Sequence, residues 1–78
     1  MKVTVILHGN LRRHADPQTP GQWHGEVPPT TCIRDLVRLL GIPEGAAVMA
    51  TIDGSLKKPE AVLAPDARVL LFAPMSGG

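Results

Sequence analysis

Apolar and polar residues alternate from the first position. In "MKVTVILH", Met1, Val3, Val5 and Leu7 fall on one face and Lys2, Thr4 and His8 on the other, with Ile6 the exception. A period of two is the mark of a strand with one buried face. Residues 10–22 are polar and hold Pro17, Pro20 and Gly21, which reads as a loop. Alternation resumes in "WHGEV", Trp23 to Val27. This second strand is expected to pair back on the first, across a connection long for a hairpin.

The period then changes. In "PPTTCIRDLVRLLGIP", Ile33, Leu36, Val37 and Leu40 take the i, i+3, i+4, i+7 spacing of a helix with one apolar stripe. Thr30 or Thr31 can cap its N-terminus. Asp35 near the start and Arg38 near the end match the helix dipole. Gly41 suits the left-handed position after the last turn, Ile42 can close back onto Val37, and Pro43 forbids continuation, giving a helix of about ten residues.

"AAVMATIDG" predicts a short strand with Val48, Ala50 and Ile52 on one face, Met49 packed under the helix, and a turn at Asp53-Gly54. Residues 55–67 read as irregular, with a short strand or 3₁₀ turn near Ala61 to Leu63, and "APDA" marks a turn. "RVLLFA" is the last strand. It is apolar on both faces, Val69 and Leu71 against Leu70 and Phe72, as suits a central strand. One helix against one sheet makes a two-layer α+β domain. With the last strand beside the first, the expected architecture is a ubiquitin-like β-grasp over residues 1–73. Its mixed sheet of four to five strands half-wraps the helix, and residues 74–78 form a flexible tail.

Composition narrows the function. At 78 residues the chain is one domain, and 44% apolar content fits a globular one. With 19% charged residues and a net charge of +1, it lacks the footprint of a nucleic-acid binder. Trp23 and Phe72 are its only aromatics, too few for a base-stacking platform. A single cysteine, Cys32, points to a reducing cytoplasm, since small secreted domains carry paired ones. No run resembles a signal peptide or approaches a bilayer span, so no membrane partner is expected.

Candidate chemistry in the body of the chain is thin. His8, His14, His24 and Cys32 follow no compact ligand spacing, so no metal is expected. The histidines read as surface residues and Cys32 as a small helix residue near the core. Trp23 reads as core or sheet-edge packing. Arg12-Arg13 and Lys57-Lys58 read as solvated pairs or, more sharply, as contacts to an acidic partner surface.

The chemistry gathers at "FAPMSGG". Pro74 lacks an N–H and tends to end the strand. Pro74 to Gly78 can reach roughly 17 Å when extended, at about 3.3 Å per residue. Gly77 and Gly78 can enter a narrow channel closed to residues with a Cβ. The terminal carboxylate they carry is ionised and a poor electrophile. Activation requires a leaving group, most simply AMP from ATP, after which sulfur or nitrogen can attack. Ordinary glycine usage gives a terminal pair by chance on the order of 0.5% of the time, so the pair draws weight mainly from the strand and proline before it.

With these residues in view, the chain resembles the small β-grasp sulfur carriers, the small subunit of molybdopterin synthase and the sulfur carrier of thiamin biosynthesis. The resemblance spans essentially the whole chain: "KVTVIL", "TTCIRDLVRLLGIP", "ATIDG" and above all "RVLLFAPMSGG". The aromatic and proline before Gly-Gly resemble the molybdopterin-synthase type. Pro65-Asp66-Ala67 stands where the family often has Gly-Asp, and the loop from Asn10 to Gln22 is longer than in the shortest members.

The resemblance implies a mechanism. An E1-like adenylating enzyme would bind the sheet surface and use ATP to adenylate Gly78. A sulfur donor would convert the adenylate to a thiocarboxylate. The tail would then enter a large molybdopterin synthase-like subunit, where sulfur passes to a pterin precursor. Gly78 would carry the chemistry, Gly77 the thin approach, and Phe72, Pro74, Met75 and Ser76 the contacts outside the channel. The carrier would bind no cofactor itself. Two alternatives are a carrier for thiamin thiazole or another sulfur metabolite, and a ubiquitin-like interaction or protein-modifier domain.

Overall fold

In a computed structural model of the chain, residues 1–43 and 47–73 are described. Five strands and one helix follow in the order β1 (Lys2–Leu7), β2 (Gln22–Glu26), α1 (Ile33–Leu39), β3 (Met49–Ile52), β4 (Ser55–Lys57) and β5 (Ala67–Phe72). A 3₁₀ segment, Gly9–His14, lies between β1 and β2. The strands form one mixed sheet in the order β2-β1-β5-β3-β4. The last strand is therefore central and parallel to the first, with Val5 opposite Val69 and Leu7 opposite Leu71. Every other pairing is antiparallel.

Alternation decides which face of the sheet is buried. Val3, Val5 and Leu7 of β1, Ala67, Val69 and Leu71 of β5, and Ala50 of β3 are all buried. They join Ile33, Leu36 and Leu40 from the helical segment in one core. Burying a Val or Leu side chain is worth about 1.5–3 kcal/mol, so this layer dominates the fold's stability. Trp23 carries the same face out to the edge strand β2. Its ring lies over Gly25, where an added Cβ would stand 2.4 Å from the Trp23 Cη2 atom. Gly25 thus leaves the room in which the ring packs.

The end of α1 follows the sequence closely. Gly41 has φ +80°. The Ile42 N–H donates to the Val37 carbonyl (3.2 Å) and the Gly41 N–H to the Arg38 carbonyl (3.0 Å), the paired bonds of a Schellman cap. The start of the helix differs from expectation. Cys32, not a threonine, holds the N-cap position, and its N–H donates to the Asp35 carboxylate at 3.4 Å. Thr30 has φ +72°, which an N-cap in extended conformation does not allow. Thr31 is buried, and its hydroxyl donates to the Pro28 carbonyl at 2.6 Å. The α-helix is accordingly 7 residues long rather than ten.

Three more expectations are corrected. The polar loop after β1 contains the 3₁₀ segment, and Leu11 turns from it into the core. The short strand in the region 55–67 is β4, which pairs with β3 across Asp53-Gly54, where both residues have positive φ. Near Ala61 to Leu63 there is only an isolated bridge from Val62 to Cys32. Finally, Met49 sits opposite Phe72 and alternates with buried Ala50, so it lies on the face away from α1 rather than under it.

Candidate functional site

The chemistry read from the sequence lies at Gly77 and Gly78, with Pro74, Met75 and Ser76 as contacts; all five fall outside the described residues. What the structure places is the point from which they continue. β5 is paired on both sides, to β1 and to β3, as far as Leu71, and Phe72 is paired to β3. Its Val69 and Leu71 are fully buried. The strand leading to the tail is thus held by neighbours on both sides, as β1 is.

Phe72, the remaining site residue, is half-buried and belongs to the outer face of the sheet. Register shows its company. Met49 stands opposite Phe72, Ile6 opposite Leu70, Thr51 opposite Leu70 on the other side, and Leu56 opposite Thr51. Side chains on one face of neighbouring strands are within reach of each other. Ile6, Met49, Leu56, Leu70 and Phe72 therefore make an apolar surface across four strands. Leu56 is 60% exposed, and the other four are only partly buried. Lys2, Arg68, His24 and Glu26 lie on the same face toward its far end and edge. An apolar centre with a polar rim is the anatomy of a protein-docking surface.

Sequence reasoning found Phe72 but not its neighbours. The signal was present in Ile6, which breaks the alternation of β1, and in the double-sided apolar run of β5. Without the strand order, nothing brought Ile6, Met49 and Leu56 beside Leu70.

The rest of the molecule offers little covalent chemistry. Among the described residues, no three His, Cys, Asp or Glu side chains gather as a metal site would require. His24 is tied on the β2 edge, its Nδ1 3.4 Å from Thr4 Oγ1 and its Nε2 3.1 Å from Gln22 Oε1. Cys32 is a free thiol at the helix start. A groove of about 260 Å³ runs along α1 beside Ile33, Val37, Pro43 and Val48, with Arg34 and Arg38 at its rim and no nucleophile in its wall. Among the described residues no helix is long and apolar enough to cross a membrane.

No family model matches the sequence, and no curated protein matches it. The structure is similar to the crystal structure of SAMP1 from Haloferax volcanii, with a TM-score of 0.76 over 100% of both chains. The chain has a ubiquitin-like β-grasp fold. Sequence identity to SAMP1 is 16%, so this likeness speaks for the fold alone.

Proposed function

We propose that the protein is a cytoplasmic sulfur carrier that works through a thiocarboxylate on Gly78. The observation that carries this reading is the order of β5 and "APMSGG": a central, doubly paired strand is followed in the sequence by Pro74 and the Gly77-Gly78 pair. The shared fold supports the broader class, a ubiquitin-like small protein modifier or sulfur carrier that works with an E1-like activating enzyme. The apolar outer face supports docking of that enzyme.

In this scheme the partner supplies ATP, and the Gly78 carboxylate oxygen attacks the α-phosphorus as pyrophosphate leaves. Hydrosulfide sulfur then bonds to the Gly78 carbonyl carbon while the bond to AMP oxygen breaks, leaving the thiocarboxylate and AMP. The aromatic-proline step before Gly-Gly favours molybdopterin synthesis as the destination of the sulfur, with this chain as the small subunit beside a large synthase subunit.

Intact mass tests the proposal. The purified chain, given ATP, sulfide and the E1-like protein of the same genome, is expected to gain the mass of one oxygen-to-sulfur exchange. Deletion of Gly78 is expected to abolish the gain without changing the unfolding midpoint. Conjugates of higher mass in cell extract that survive boiling and reduction, with no exchange product, would move the protein to the modifier class.

A further inference from the structure

The sequence holds two basic pairs far apart along the chain, Arg12-Arg13 and Lys57-Lys58. The topology brings both to one end of the sheet. β1 and β5 are parallel, so β1 leaves the sheet at the same end as β5. The 3₁₀ segment carrying Arg12 and Arg13 follows β1 immediately, and the His8 N–H before it donates to the Leu71 carbonyl at 3.1 Å. Buried Leu11 anchors the turn, and both arginines remain exposed. On the other side, β3 is antiparallel to β5, and β4 is antiparallel to β3, with Ala50 opposite Lys57 and Leu71. β4 therefore also ends where β5 ends, and Lys57 and Lys58 are exposed there.

The opposite end of the sheet is mixed in charge, its acids standing beside exposed Lys2 and Arg68. Asp53 lies in the β3–β4 turn and Asp66 just before β5, with their N–H groups on the Arg68 and Lys2 carbonyls, and Glu26 stands opposite Lys2. Near the basic end, the Asp16 carboxylate accepts the Gln18 N–H, and Glu60, just beyond Lys58, is paired with Arg34 at 2.8 Å. Among the described residues, neither Arg12, Arg13, Lys57 nor Lys58 meets a carboxylate. The net charge of the chain is only +1, so this concentration arises from placement rather than excess.

We infer that the two pairs form a split basic rim, one on each side of the strand that leads to the tail, and that it engages an acidic protein surface around the mouth of the activating partner's channel. This rests on the carrier reading for the partner's identity. Such a rim acts before the tail is threaded. Opposite charges steer the encounter, and cations on both sides of the exit orient the tail toward the mouth. Rim charges of this kind act chiefly on the association rate and its salt dependence.

The test measures association of the full chain with the E1-like protein of the same genome at low and high sodium chloride. Arg12→Glu/Arg13→Glu and Lys57→Glu/Lys58→Glu are compared with Arg34→Glu/Arg38→Glu, which changes net charge equally but on the helix. Unfolding midpoints confirm that each variant folds. Each rim variant is expected to associate about tenfold more slowly at low salt and to lose most of its salt dependence. The helix variant is expected to stay within about twofold of the parent. An equal loss in all three would assign the effect to net charge and overturn the rim, as would no loss in the rim variants or no binding by the parent chain. Intact mass read in parallel keeps the two proposals apart: binding without sulfur exchange breaks the carrier reading, while the rim is still judged by the association rates.

Discussion

Leu70 and Leu71 are neighbours on β5, identical in chemistry, and they serve opposite faces of one sheet. Leu71 is fully buried with Val5 and Val69 beneath the helix, in one core with Leu36 of α1, whereas Leu70 is only partly covered and faces away from the helix with Ile6 and Phe72. One helix can cover one face, so a small two-layer domain must leave the other face of its central strand in contact with solvent or a partner. Apolar residues on that second face contribute less to stability than those in the core. Their concentration across β1, β5, β3 and β4 fits recognition better than folding.

The largest expected effect sits on the inner face. Leu71→Ala should cost about 2–5 kcal/mol, because the cavity it leaves lies where packing is complete. Urea unfolding would measure it, and a loss below about 1 kcal/mol would erase the distinction between the faces. An intermediate effect is expected where the inner face reaches its edge. Gly25→Ala places a methyl against the Trp23 ring, and overpacking of this kind costs about 1–3 kcal/mol. Tryptophan fluorescence should shift to the red as the ring is pushed toward water. An unchanged spectrum and midpoint would show that the ring does not need the space over Gly25. The smallest effect on stability belongs to the outer face. Leu70→Ser should cost about 1 kcal/mol, yet it should weaken binding to the activating partner at least as strongly as any rim variant. Full binding by this variant would move the docking surface elsewhere.

Much of this was legible in the chain. The two-residue period of β1 and β2, the helical spacing of Ile33, Leu36 and Leu40, and the Gly41-Ile42-Pro43 stop each encode local structure in adjacent residues. The double-sided apolar run of β5 also disclosed its central place, because only a strand covered on part of each face can use such a run. What stayed hidden had weak local signals. Leu11 is one apolar residue in a polar stretch, and "SLK" is too short to show a period. The N-cap was misplaced because threonine propensity pointed to Thr30 and Thr31, while the backbone around Pro28 gave those residues other work. The fit of Gly77 and Gly78 to a channel remained a matter of residue chemistry, since those positions lie outside the described residues.

By itself the sequence determined the strands β1, β2 and β5 and the helix, and which residues of β1 and α1 face the core. Those properties depend on neighbours a few positions apart, and the periods of 2 and 3.6 record them directly. Only the tertiary structure decided what lies side by side across the sheet. It set Met49 beside Phe72 and Ile6 beside Leu70, and it carried Arg12-Arg13 and Lys57-Lys58 to the two sides of β5. Strand order and direction fix such proximity, and they follow from how one helix and five strands close over a common core, which no short stretch of chain contains.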